Sequence, residues 1–198
     1  MLEFGRARAA ELGVTNIEFR RMGAGEAGQS PAAYDAVLCR WGLMFVDGHD
    51  AVLTGLRECL VPGGCLVTTV WGPPEGAPAL SLAARVVLAS LGMPPPDEGA
   101  RTPFALSDVA AFERLFEGAG FRRARGEWVT VTFTFESPEQ YVAFRKDRSR
   151  PLMASIAGQP AARQAAAWEA VAEAVAQFAG PDGTLSMPCE AYCVTARR

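Results

Sequence analysis

The pattern of apolar and polar positions is clearest between residues 34 and 71. Tyr34, Ala36, Val37, Leu38 and Cys39 form a nearly continuous apolar run that stops at Arg40, the pattern of a strand buried on both faces in a parallel sheet. From Asp50 the apolar positions become Val52, Leu53, Leu56, Cys59 and Leu60, the three-and-four spacing that turns one stripe of a helix toward a core. Val61-Pro62-Gly63-Gly64 ends that helix, because proline cannot continue it and glycine accepts a left-handed cap. Cys65 to Trp71 then reads as a second buried strand. A strand, a crossover helix and a strand of these lengths make one right-handed βαβ unit with parallel strands.

On either side the pattern is weaker but continuous. Met1 to Leu12 predicts a helix whose apolar side is Leu2, Phe4, Ala9 and Leu12, with no capping residue before it. A helix ordinarily begins with a side chain that accepts from its first free amides, so the start reads as cut from a longer chain. Gly13 caps this helix and Ile17 to Arg20 predicts a strand. Gly23-Ala24-Gly25-Glu26-Ala27-Gly28 matches the G-x-G-x-x-G spacing. A dinucleotide fingerprint must open a helix, and Gln29 to Ala33 leaves no room for one, so a flexible loop is expected.

Beyond the central unit, Leu80 to Leu91 predicts a helix and Pro94-Pro95-Pro96-Asp97-Glu98-Gly99 a stiff connection. Ser107 is placed to cap a helix carrying Val109, Phe112, Leu115, Phe116 and Ala119, closed by Gly120. Val129, Val131, Phe133 and Phe135 alternate with threonines, as in a strand near a sheet edge. Ser137-Pro138-Glu139-Gln140 is a capping box opening a short helix with Tyr141 and Phe144. Lys146 to Arg150 reads as a solvated, mixed-charge face. Ala161 to Phe178 predicts a helix with Trp168, Val171, Val175 and Phe178 on one side, and Glu190 to Ala196 a last strand.

Tyr34 to Arg40, the following helix, Leu60-Val61-Pro62-Gly63-Gly64-Cys65-Leu66, and Ala119-Gly120-Phe121 together resemble class I S-adenosylmethionine-dependent methyltransferases, closest to the ubiquinone/menaquinone-biosynthesis type. The resemblance implies an α/β fold: a Rossmann-like sheet of order 3-2-1-4-5-7-6 with the last strand antiparallel. The methyltransferase core is placed at 1-135 and 186-198, with a helical lid at 136-185 inserted before the last strand. It implies S-adenosyl-L-methionine as cofactor, bordered by Met1, Gly23, Ala24, Arg40, Trp41 and Gly42. A small apolar acceptor would lie against Leu43, Trp71 and Tyr141. Trp41 and Trp71 also suit a second role, as core aromatics at strand ends.

The family's first two strands and its Gly-rich turn have no counterpart here, and glycine at position 23 stands where the family usually carries an adenine-binding aspartate. Losing two central strands would leave the Ile17 strand about 14 Å from the Tyr34 strand, at about 4.8 Å per step. Such a gap exposes strand edges and apolar surface. Three closures are open: the Ile17 strand moves beside Tyr34, a second copy covers the edge as a homodimer, or the natural protein is longer. The first or the second is expected of this chain, with a lost N-terminal segment as its origin, and it is not expected to methylate by itself. The alternative function is a non-catalytic binding or dimerising protein of the same fold.

Composition narrows the partners. With 198 residues, 21% charged and 49% hydrophobic, the chain suits one domain with a sizeable core. Its net charge of −3 and lack of a basic block argue against nucleic acid. No run of about 18 uncharged apolar residues marks a membrane span, and the N-terminus lacks the apolar centre of a signal peptide. Cys39, Cys59, Cys65, Cys189 and Cys193 fall inside predicted elements and read as buried free thiols in a reducing, cytoplasmic compartment. No Cys/His spacing suggests a metal. His49, the one histidine, sits near a helix start without an evident partner, so no catalytic residue is assigned. Methyl transfer from a sulfonium draws much of its rate from orientation and needs no fixed triad.

Overall fold

The computed structural model describes residues 2–95 and 102–198. Met1 and the Pro96-to-Gly99 part of the proline-rich connection lie outside them. In chain order the elements are α1 (Leu2–Glu11), β1 (Tyr34–Arg40), α2 (His49–Cys59), β2 (Leu60–Trp71), α3 (Pro78–Leu91), α4 (Val109–Gly118), β3 (Arg122–Phe135), α5 (Pro138–Arg148), α6 (Arg150–Ile156), α7 (Ala161–Val175) and β4 (Leu185–Arg197). The strands form one sheet in the order β1-β2-β4-β3. β1 and β2 are parallel, β4 runs antiparallel to both of its neighbours, and β1 and β3 are the edges. This is the expected order of the last four family strands.

Alternation along β2 and β4 divides the core between two layers. Leu66, Thr68, Val70, Val194 and Ala196 are buried on the face covered by α2 and α4. On the other face Leu185, Met187, Cys189 and Ala191 are buried near α3, with α7 packed on α3 and α5 on β3. The α2 stripe of Val52, Leu53, Leu56 and Cys59 is buried as its spacing requires. α4 begins at Asp108 rather than Ser107: the Asp108 carboxylate accepts from the Ala111 amide at 2.9 Å. Ser137 caps α5 by accepting from the Gln140 amide, and the Gln140 side chain reaches back to the Glu136 amide. Ser149 is buried between α5 and α6, so the 146–150 segment is not wholly a solvated face.

Four expectations are corrected by the burial and pairing. β1 is an edge strand, not a strand buried on both faces: Val37 and Cys39 are half-buried while Leu38 is 78% exposed. An apolar run states what a strand can bury, and its neighbours decide what it does bury. The segment 17–20 forms no strand and Ile17 is 50% exposed. It therefore does not move in beside Tyr34, and it has no ladder partner among the described residues. The Pro62-Gly63-Gly64 segment does not separate helix from strand. It is a bulge inside β2, between the Tyr34↔Leu60 and Ala36↔Cys65 pairs, with Gly63 at φ +83°.

The G-x-G-x-x-G segment is likewise no flexible loop. Ala24–Gln29 is a 3-10 turn lying on α2, and a Cβ at Gly28 would stand 3.0 Å from the Gly55 Cα. The glycine is needed for helix-to-turn contact, not for a phosphate. α1 buries none of its residues, and Phe4 is 85% exposed.

Candidate functional site

The parallel pair β1 and β2 ends together, with Arg40 beside Thr69 and the Trp41 amide donating to the Thr69 carbonyl at 2.9 Å. The chain must leave the sheet here. It does so with Trp41 at φ +53°, a left-handed conformation that costs a bulky residue energy and so needs its surroundings to hold it. The holding contact is visible. The Trp41 and Trp71 rings stack with centroids 4.4 Å apart and planes within 8°, and the Arg40 guanidinium carbon lies 4.8 Å from the Trp41 ring centre. Offset stacking and cation–π attraction each favour this arrangement by roughly 1 kcal/mol. The Trp41 indole Nε1 is buried without a hydrogen-bond partner among the described residues.

From Trp71 an aromatic row runs along the strand ends. Trp71 meets Phe133 at 5.9 Å, Phe133 stacks on Phe135 at 6.5 Å, and Phe135 meets Tyr141 at 5.2 Å and Phe144 at 5.4 Å. Arg40, Trp41, Gly42, Leu43 and Trp71 are thus gathered at one edge, although Leu43 and Trp71 are only 1% and 5% exposed. Gly42 is small for a reason, since a Cβ there would meet the Cys39 sulfur at 3.0 Å. The His49 Nε2 lies 3.1 Å from the Leu43 carbonyl oxygen, which fixes that nitrogen as the protonated donor and ties the ring to the backbone.

Tyr141 stands deeper than a ligand-facing role requires. It is fully buried, its hydroxyl donates to the Ala79 carbonyl at 3.3 Å, and burial pushes its pKa up to about 12. Arg145, one turn on, donates through Nη2 to the Leu80 carbonyl at 2.9 Å, and its own burial lowers its pKa. Together they fasten α5 to the first turn of α3. Sequence spacing carries no sign of Arg145 or of Phe133 as a neighbour of Trp71, because both contacts cross between elements.

Gly23 and Ala24 are not drawn into this edge. Both are exposed; the Gly23 amide donates to the Glu26 carboxylate at 2.9 Å, and the adjoining turn is seated on α2 through Gly28. Ala32 and Ala33 then donate to Glu58 and Cys59 at the last turn of α2, beside the start of β1 rather than its Arg40 end. Met1 lies outside the described residues. The described residues do not by themselves fit S-adenosylmethionine: they include no glycine-rich turn between a strand and a helix N-terminus, and Gly23 and Ala24 are exposed on a turn seated on α2.

No protein-family model matches the chain, and no curated protein matches it. Solved structures do. A Bacillus halodurans protein described as a methyltransferase superposes with a TM-score of 0.56 over 99% of this chain and 78% of that one, at 17% identity. The YcgJ protein of Bacillus subtilis gives 0.58 over 100% and 78%, at 12% identity. This is a Rossmann-like methyltransferase fold. The [4+2]-cyclase SpnF also shares it, with a TM-score of 0.50, covering all of this chain and 62% of its own at 18% identity. At such identities the likeness is one of fold. Within the methyltransferase fold, the Trp41–Trp71 stack occupies the carboxyl-terminal edge of the parallel strands, where open α/β sheets bind ligands. No described helix is long and apolar enough to cross a membrane.

Proposed function

We propose that this chain carries the acceptor side of an S-adenosylmethionine-dependent methyltransferase, of the ubiquinone/menaquinone-biosynthesis type, acting on a small apolar molecule. It becomes competent when further strands pair with the free edge of β1. The observation that carries the reading is the position of that edge: the strand that leads into the Arg40–Trp41–Trp71 cluster has no outer neighbour among the described residues, and its Leu38 is 78% exposed. The aromatic row from Trp71 to Phe144 supports an apolar acceptor, since Phe133 and Phe144 are half-buried beside the buried Trp71 and Phe135, with the Arg148 guanidinium over the Phe144 ring. Five free thiols support a reducing, cytoplasmic setting. Alone, the chain binds no cofactor and transfers no methyl group.

The test is to extend the chain with the reading frame upstream of Met1 and incubate it with methyl-labelled S-adenosylmethionine and a panel of phenols and hydroquinones. Label in an apolar product that depends on Trp71 supports the reading. An extended chain that neither binds S-adenosylhomocysteine nor transfers label overturns it.

A second reading, a non-catalytic or differently active member of the fold, is favoured by two observations. The G-x-G-x-x-G turn is committed to packing on α2, and the fold is shared with a protein described as a [4+2]-cyclase. In this reading the β1 edge pairs with a second copy or a partner.

A further inference from the structure

The opposite edge of the sheet is the more unusual one. β3 is 14 residues long, and among the described residues it pairs only with β4, so one whole side of its backbone has no ladder. Edge strands are ordinarily kept short, charged or covered, because free amides and carbonyls recruit another strand. Only the first part of β3 carries such protection: a register shift between Arg122 and Arg125, with Arg123 at φ +53°. From Arg125 to Phe135 the register with β4 is uninterrupted. Beyond Glu127 that stretch reads Trp-Val-Thr-Val-Thr-Phe-Thr-Phe, without a charge or a proline, and Trp128 and Val129 are 52% and 40% exposed.

We propose that β3 pairs antiparallel with β3 of a second copy, extending the sheet across a two-fold axis at Thr130. The charges select a second copy as occupant. Arg122, Arg123 and Arg125 are at the start of the strand, with Arg122 and Arg123 exposed, and Glu136 and Glu139 are exposed at its end. Antiparallel self-pairing centred on Thr130 brings the basic end of each copy alongside the acidic end of the other, twice. A two-fold axis perpendicular to the sheet keeps each face continuous, so positions pair with others of the same parity. Trp128 then packs beside Thr132 and Val129 beside Val131, both good strand pairs. The regular stretch is paired along its whole length. This interface is separate from the β1 edge and does not depend on the methyl-transfer reading.

The test is sedimentation of the purified chain and of Thr130→Lys. In one copy Thr130 is exposed and faces outward beside Glu190 on β4, so a lysine there is compatible with the fold. On the axis it meets its own symmetry mate. Like charges so opposed disfavour an interface strongly, so the dimer dissociation constant is expected to rise at least about tenfold. The wild-type chain is expected at twice its 21.1 kDa mass, and Thr130→Lys at the single mass. An equimolar mixture of Thr130→Lys and Thr130→Glu is expected to recover the dimer. A wild-type monomer at about 100 µM overturns the proposal. So does a Thr130→Lys dimer, or a dimer that dissociates with Leu38→Lys instead.

Discussion

Gly126 in β3 holds a place that no other residue can take. A Cβ there would fall on the Tyr192 hydroxyl oxygen and Cζ, far inside contact distance. The backbone is not in a glycine-only region, so Gly126→Ala tests a steric clash and not backbone strain. To admit the methyl group the Tyr192 ring must leave. It is 7% exposed, its hydroxyl donates to the Glu113 carboxylate at 2.5 Å, and its ring meets Trp128 edge-on at 5.0 Å. Overpacking costs about 1–3 kcal/mol and a half-buried hydrogen bond to a carboxylate about 1.5 kcal/mol, for a total of about 2.5–4.5 kcal/mol. In a chain of this size that lowers Tm by roughly 5–15 °C. The assay is urea unfolding of wild type, Gly126→Ala, Tyr192→Ala and the double variant. Removing the ring removes the clash, so in the Tyr192→Ala background Gly126→Ala should cost under about 0.5 kcal/mol, giving a coupling near 2 kcal/mol or more. Equal costs in both backgrounds would refute the argument.

Three further outcomes rest on other contacts. Tyr141 and Tyr192 both have pKa values raised to about 12, by burial for Tyr141 and by the Glu113 hydrogen bond for Tyr192. Raised values hold the proton in the folded state, so their stabilisation is full below about pH 10 and is lost as pH climbs toward 12. For buried Tyr141 this is on the order of 2 kcal/mol, and Tyr141→Phe should flatten that part of an alkaline unfolding curve. Gly28→Ala sets a methyl group 3.0 Å from the Gly55 Cα, backbone against backbone. It should lift the Ala24–Gln29 turn from α2, and faster tryptic cleavage after Arg20 and Arg21 would report it. Asp108→Ala removes the cap on α4 and should cost about 1 kcal/mol, with Ser107→Ala, which caps nothing there, near zero by the same unfolding assay.

Much of the sheet was legible because its signals are local. The Val52-to-Cys59 stripe, the alternation ending at Phe135, and the capping box at Ser137 each need only a few neighbouring residues, and each places its element. The misreadings concern properties that neighbours confer. The run from Tyr34 to Cys39 suits a central strand, yet β1 lies at an edge with Leu38 in solvent. Ile17 to Arg20 has strand-like residues but no ladder partner among the described residues. The glycines at 23, 25 and 28 match a motif that binds phosphate only at the start of a helix, and here Gly28 meets Gly55 instead. Arg40, Trp41 and Trp71 are singled out only through the family resemblance of the strands they follow, while the left-handed turn at Trp41 and the latch of Tyr141 and Arg145 on α3 come from packing across long sequence separations.

The central claim is that the ligand-binding edge is in place while the cofactor side awaits strands on β1. The direct measurement is a calorimetric titration of the 198-residue chain with S-adenosylhomocysteine. The account predicts no detectable heat at cofactor concentrations up to about the millimolar range, where a formed site would saturate at about micromolar affinity. Saturable binding at about micromolar affinity, weakened by Trp41→Ala, would contradict it and show that the chain completes its own cofactor site.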